Sequence, residues 1–564
     1  MLRPYFLLLL FISVLGFSQE ELIIDYKVIV NGTESPDQEK YQLIIDNELC
    51  RIDKSQKISE NEIPTPEELK FLHYGNKEYT QIAKLNSGEI FNNVVSFSEL
   101  PIFERTDEVE TLLGYECKKA KTVIFSNQIE IWYTTDLNVK GTPWPEVGVP
   151  EGLVLKVVRN GNFEILAKKV NSINLEKVNL NIPDQIGESL SKSIYRAKIR
   201  ESHITTVNVF DNEQICWGYD RPNPKDIESN EVFHYAGGTL ILRKVNLPKA
   251  CEDNIIFAEV TQYSNGDAYD RTASVFVIPT NKERSFLDGL RNGKDSLPKY
   301  IDNQGKEYQG VVSTEDYSPI VELVRYFTPF GVNHFNDKRQ VPGLEWEDSV
   351  IYKQDISSLL PLLEGEVWIG AFIGNYDKGG HNLSLNLKYY PMSKEIVKNA
   401  KKYWVYPLFN TLNVMEMAGQ EYATMFDQDS LKVKFEIPEG IKNLKLQYIS
   451  TGHGGWGGGD EFNQKLNEII IDGELVYSYI PWRTDCASYR KYNPASGIFW
   501  NGISSSDFSR SGWCPGTITN PQSIPLKIVA GQHELKVAIP LGPREGNSFS
   551  SWNLSGVLIG EFDE

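Results

Sequence analysis

The chain has 564 residues, 41% hydrophobic and 12% aromatic, with a formal net charge of −19. That length exceeds a usual single domain, so about two to four domains are expected, each with apolar residues enough for its own core. The acidic balance argues against nucleic-acid or anionic-membrane partners, whose phosphates call for basic patches.

Residues 1–18 read as a signal peptide. Arg3 precedes an apolar run from Tyr5 to Phe17, and Gly16-Phe17-Ser18 offers a small-x-small cleavage site. The run is too short to span a bilayer, and no later stretch is long enough. An exported protein, periplasmic or extracellular and without membrane insertion, is expected; a monomer is expected too. Six cysteines fit an oxidising compartment, with their pairing left open. The chain has no CxxC or HExxH and its seven histidines are scattered, so no metal site and no cofactor is expected.

Residues 19–192 form a first, β-rich unit that opens on the strand-like Leu22–Val30. It carries Gly114-Tyr115-Glu116-Cys117-Lys118-Lys119-Ala120, then Ile131-Trp132-Tyr133-Thr134, then Gly148-Val149-Pro150-Glu151-Gly152-Leu153. This order resembles the GLPGLI family of exported bacterial proteins, with the name-giving motif altered, and implies an accessory or substrate-shaping module. Ser193–Glu201 reads as a linker with one short helix. In the second unit, 202–391, short alternating runs at Leu240–Leu242, Ile255–Val260, Ser274–Val277, Ile320–Phe327, Val367–Ile369 and Leu383–Leu387 read as strands. Asp355–Leu360 reads as a capped helical turn. The third unit, 404–564, repeats the type, with strands at Leu431–Ile437, Leu444–Ile449, Ile469–Ile471, Ile524–Val529 and Glu534–Ile539. Many short antiparallel strands suggest a sandwich or jelly roll in each of these units.

Three stretches carry candidate chemistry. Asp270 and Arg271 stand where the strand ending at Ile278 begins, and successive strand residues face opposite ways, so they do not simply pair. The glycine-rich run Thr451–Phe462, with His453, Asp460 and Glu461, reads either as a mobile loop or as a loop lining a cleft with backbone N–H groups and a carboxylate. Cys486 and Cys514 would staple an aromatic-rich loop. Trp482, Trp500 and Trp513, near Arg483 and Arg510, read either as a sugar platform or as core residues.

The second and third units together resemble the peptide-N-glycosidase F family of secreted bacterial amidases. The resemblance rests on Tyr269-Asp270-Arg271-Thr272-Ala273-Ser274-Val275-Phe276-Val277, on Arg325-Tyr326-Phe327-Thr328-Pro329-Phe330-Gly331-Val332, on Gly459-Asp460-Glu461-Phe462-Asn463, and on Ser511-Gly512-Trp513-Cys514-Pro515-Gly516. It implies an all-β fold of two consecutive eight-stranded antiparallel jelly rolls after the β-rich accessory domain. It also implies Asp270 as primary catalytic acid and Glu461 as second carboxylate, one from each roll. Arg271, Trp513, Arg510, Asp460, His453 and Asp377 are the substrate-binding candidates. The chain departs from the family in two ways. The cysteines flanking the family's second acid are Gly459 and Asn463, and the family's pair before the Asp strand is missing, so Cys216–Cys251 becomes a candidate replacement bridge; Cys50–Cys117 is a candidate bridge inside the first unit. The family's third acid would fall near Trp368–Asn375, which holds none, leaving Asp377 as the nearest candidate.

The implied reaction is hydrolysis of the amide between asparagine and the innermost N-acetylglucosamine of N-glycosylated proteins or glycopeptides. The extra N-terminal domain resembles that of an extended form of the family and implies acceptance of core α1,3-fucosylated glycans. An endoglycosidase-like hydrolase, which also uses two carboxylates, and a non-catalytic glycan-binding lectin are the alternatives.

Overall fold

A computed structural model describes residues 21–34, 40–46, 48–55, 66–172, 180–249, 255–390, 402–427, 429–454 and 458–562. The signal-peptide segment, Cys251 and residues 455–457 of the glycine-rich run lie outside them. The chain divides into two compact units, Met1–His203 and Ile204–Glu564.

The first unit is built on one thirteen-stranded sheet. Leu22–Val30 shows how it is made: Leu22, Ile24, Tyr26 and Val28 are buried while the residues between them are partly exposed, as a strand with one face on a core requires. The sheet is antiparallel apart from the short parallel pairing of Glu188–Ser189 onto Phe91–Asn92. Helix Lys192–Ser202 follows, its first turn capped by the Ser191 hydroxyl, which accepts from the Ile194 N–H. Tyr195 buries its ring against Phe91 at 5.3 Å. The expected Cys50–Cys117 bridge is not made, and both thiols are free and buried. Cys50 lies on strand Leu49–Ser55 and Cys117 on Tyr115–Ile124, with five strands between them in the sheet order.

The second unit holds both jelly rolls. The first roll packs a four-stranded sheet (Thr205–Ile215, His381–Tyr390, Ile255–Ser264, Val350–Asp355) on a five-stranded one (Phe233–Tyr235, Leu240–Leu247, Gly365–Ile373, Thr272–Ile278, Val321–Phe327). The short edge strand Phe233–Tyr235 is the ninth member. The second roll packs Tyr403–Asn410, Ser551–Phe562, Ile441–His453 and Gln522–Pro525 on Leu431–Ile437, Gly531–Ala538, Asn467–Ile471 and Glu474–Tyr479. In Leu431–Ile437 buried and exposed residues alternate without a break. Cys216 is also free and buried, so no bridge to it is seen among the described residues. Cys486 and Cys514 are bonded.

A polar seam joins the rolls. Strand Val321–Phe327 of the first roll takes a segment of the second against its edge: Phe327 donates its N–H to Thr517 O (3.0 Å), Gly516 to Phe327 O (3.0 Å) and Thr519 to Arg325 O (2.8 Å). The fully buried Arg325 donates through Nη1 to Thr451 Oγ1 and to Asn553 O, both at 3.1 Å, and through Nε to Glu322 (2.6 Å). Glu322 also accepts from Ser274 Oγ and Asn410 Nδ2. A buried ion pair is tolerated when its remaining donors and acceptors are satisfied, and here they cross from one roll to the other.

Candidate active site

Asp270 precedes strand Thr272–Ile278, whose residues after Thr272 are all buried. That entry is held by Thr328: its Oγ1 accepts the Arg271 N–H (2.8 Å), and its own N–H reaches Arg271 O (2.9 Å). Asp270 therefore sits at the rim of the first roll with its side chain 14% exposed. Glu461 comes from the glycine-rich turn between strands Ile441–His453 and Asn467–Ile471 of the second roll, with its side chain 24% exposed. Both line one cavity of about 450 Å³, with Tyr269, Phe330, Phe462, Ile498, Phe499, Ser505 and Arg510 among the other walls.

Arg510 organises this cavity. Its side chain is 1% exposed, and Nε lies 3.1 Å from Glu461 Oε1 while Nη2 lies 3.2 Å from Asp270 Oδ2. Nη1 donates to Ser505 O (2.7 Å) and Phe508 O (3.3 Å), and Nη2 also reaches Ser505 Oγ (3.3 Å). The guanidinium stacks between Phe462 (5.0 Å) and Trp513 (4.8 Å). Every edge of the fork is thus engaged, leaving it no free donor for a ligand. Arg510 holds the two acids in place, which differs from the substrate-binding role expected of it. The Cys486–Cys514 bond ties down the segment that carries it.

Burial raises the Asp270 carboxyl from the ordinary carboxylate range to about 7; Arg510 pulls it down and the Glu461 charge pushes it up. Glu461 is raised as well, by burial, against the same Arg510. Two acids thus share one cation in a site partly shielded from water, and at both of them burial and the Arg510 charge act in opposite directions.

Arg271 points to the other side of its strand. Nε and Nη2 donate to Asp267 at 2.7 and 3.1 Å, and the guanidinium stacks on Tyr269 (5.1 Å) and Tyr376 (5.4 Å). Burial alone would raise Asp267, but His381 and Arg271 hold it down at about 2. Arg271 thus braces Tyr269, which lines the cavity, and its own side chain is not part of the lining.

Four other expected site residues serve the fold instead. Trp513 is 3% exposed, stacked on Phe327 at 4.1 Å, with its indole N–H donated to Gly452 O (3.1 Å), so it is core and not a sugar platform. His453 stacks on Phe327 and Trp513 and contacts Thr451 Oγ1 through Nε2 at 2.9 Å; burial, then the Arg325 charge, lowers it to about 3, so it stays neutral. Asp460 is fully buried and accepts from Trp552 Nε1 (2.7 Å) and Gly542 N (2.8 Å). Asp377 spends Oδ1 on the N–H groups of Gly379 (2.7 Å) and Gly380 (3.0 Å).

The sequence reading missed Ser505, Phe499 and Phe330 as walls, since no local pattern marks them. It also missed Glu416, which accepts from the hydroxyls of Tyr376 and Tyr422. Glu416 Oε2 lies 3.7 Å from the point a Gly374 Cβ would occupy, at the end of strand Gly365–Ile373.

Comparison with known proteins adds to this geometry. Residues 206–389 match the family model described as peptide-N-glycosidase F, N terminal, and residues 421–559 match peptide-N-glycosidase F, C terminal. Residues 24–196 match N-glycanase peptide, N-terminal domain. The chain is 44% identical to a solved structure of PNGF-II in space group P21, covering 96% of this chain and 100% of that one with a TM-score of 0.87. A second PNGF-II structure, in space group C2, is 44% identical over 97% of this chain and 99% of that one, TM-score 0.82. No curated protein matches the chain. With this identity over nearly its whole length, the chain belongs to the peptide-N-glycosidase F family of amidohydrolases acting on the Asn–GlcNAc amide bond.

Proposed function

We propose that this chain hydrolyses the amide joining asparagine to the innermost N-acetylglucosamine of N-glycans, converting Asn to Asp and releasing the glycan as a glycosylamine. The observation that carries this reading is the bridging of Asp270 and Glu461 by Arg510 at the wall of one cavity. An amide is a poor electrophile, so its hydrolysis needs an activated water and a proton for the departing nitrogen. Asp270, raised to about 7, suits both duties near neutrality: as carboxylate it takes a proton from water, and as acid it returns one to the leaving nitrogen. Glu461 is assigned to hold hydroxyl or N-acetyl groups of the core sugar. Arg510 keeps both carboxylates at fixed positions. Glu416 is assigned the place of the family's third acid, supported by its approach to Gly374.

The reading extends to export through residues 1–18, to a monomer acting on glycoproteins or glycopeptides, and to acceptance of core α1,3-fucose. The disulfide supports export. Mass spectrometry of a defined glycopeptide tests the reaction. Release of the whole glycan with Asn converted to Asp is expected; a single N-acetylglucosamine left on Asn would mean an endoglycosidase, and an unchanged peptide a lectin. Asp270→Asn should lower turnover at least about a hundredfold while the protein stays folded. Paired glycopeptides with and without core fucose test the finer preference.

A further inference from the structure

The first unit has a cavity of its own, of about 400 Å³, which the amidase reading does not use. Strands Lys40–Ile45, Leu49–Ser55, Glu67–His73, Leu153–Arg159 and Phe163–Ser172 supply its floor, and the loop Pro143–Glu146 crosses it. That volume falls in the range of small-ligand sites. Three aromatic rings, Tyr41, Trp144 and Phe163, share it with Arg159.

The arrangement of Arg159 is the informative feature. Its guanidinium lies 4.8 Å from the Phe163 ring centre and 5.9 Å from that of Trp144, while the two rings meet edge to face at 6.1 Å. Both rings lie within cation–π reach of the guanidinium. Among the described residues no carboxylate lies within ion-pairing distance of Arg159 and no acceptor takes any of its five donors. The Trp144 indole N–H likewise finds no acceptor among them. The one carboxylate in the lining, Glu146, is already engaged by Lys70 at 3.5 Å and by the Tyr79 hydroxyl at 2.8 Å. In a chain of net charge −19, this is a partly buried concavity with a cation fixed in place and unspent.

We propose that this cavity binds a carboxylated sugar, such as a sialic or uronic acid residue, with the Arg159 fork taking the carboxylate and Trp144 the apolar face of the ring. The Arg fork matches the two oxygens of a carboxylate bidentately, and an indole face complements the C–H face of a pyranose. The indole N–H then serves a ring hydroxyl. The site is separate from the Asp270 cavity in residues and in chemistry, and it equips the first unit to recognise acidic glycans independently of the cleavage step.

Titration of the full chain with 3′-sialyllactose, lactose and hippurate tests this. Saturable binding of sialyllactose and none of lactose is expected, unchanged in Asp270→Asn and weakened about tenfold or more in Arg159→Ala and in Trp144→Ala. Arg159→Lys, which keeps the charge but not the fork, should fall between. Unchanged melting and unchanged turnover of a short neutral glycopeptide identify a folded variant, and should Arg159→Ala melt early, Arg159→Lys alone decides. Absence of saturable sialyllactose binding overturns the proposal, as does equal binding of lactose, preference for hippurate, or binding indifferent to both Arg159 and Trp144.

Discussion

Arg510 Nη2 and Asp270 Oδ2 lie 3.2 Å apart, although the residues are 240 positions apart in sequence and belong to different jelly rolls. The contact makes the environment of the Asp270 carboxyl a property of the joined rolls. It also sets two influences against each other, because burial drives Asp270 toward its neutral form while Arg510 favours the ionised one.

Removing that cation should therefore be felt in both rate and pH dependence. Arg510→Met keeps much of the volume but no donor, leaving Asp270 and Glu461 facing each other unbraced. We expect kcat/KM to fall about a hundredfold or more. The residual rate limb set by Asp270 ionisation should move to higher pH, because the influence that lowered its carboxyl is gone. A pH–rate profile of the variant reads both, and a limb that stays put would separate Arg510 from Asp270.

Asp270 should also weaken the fold it serves. Its carboxyl is raised in the folded chain to about 7, so between pH 4 and 7 the folded state holds a proton that the unfolded state has lost. Stability from this group then falls as pH rises through that window and is flat above it. Asp270→Asn removes the penalty and should be more stable than the parent at pH 8, with the gain vanishing near pH 4. Denaturant unfolding of both proteins at the two pH values measures it.

Asp460 should behave oppositely to its neighbour Glu461. Asp460→Ala orphans the buried Trp552 N–H and Gly542 N–H and should cost about 3 kcal/mol of stability. KM for a glycopeptide should hardly move in the molecules that remain folded. A large KM change at unchanged stability would return Asp460 to the binding surface.

Reduction of Cys486–Cys514 releases the segment that carries Ser505 and Arg510. The loop is long enough that its closure contributes about 3 kcal/mol. Melting temperature and turnover should fall together under reductant, and the Cys486→Ala/Cys514→Ala variant should reproduce both without it.

Much of this was legible before the structure, for definable reasons. Strand positions such as Leu431–Ile437 follow from alternation alone, because one face must be buried. Asp270 and Glu461 could be singled out because short sequence blocks around them carry the resemblance. Their partners divide by environment, which no local pattern encodes. Asp460 and Glu461 are adjacent, yet one faces Trp552 and the other the cavity. Trp513 carries the composition of a sugar platform but lies under Phe327, while Trp500, in the same loop, is 97% exposed. Glu416 was invisible because it reaches Gly374 from an unrelated stretch of chain.

The strand Ser551–Phe562 comes last in chain order but stands inside its sheet, between Tyr403–Asn410 and Ile441–His453. From it Asn553 offers the carbonyl that receives Arg325 across the seam. Ser551–Phe562 is thus paired along both edges and tied across the seam at once, so a substitution that unpairs it loosens the sheet and the join of the rolls together.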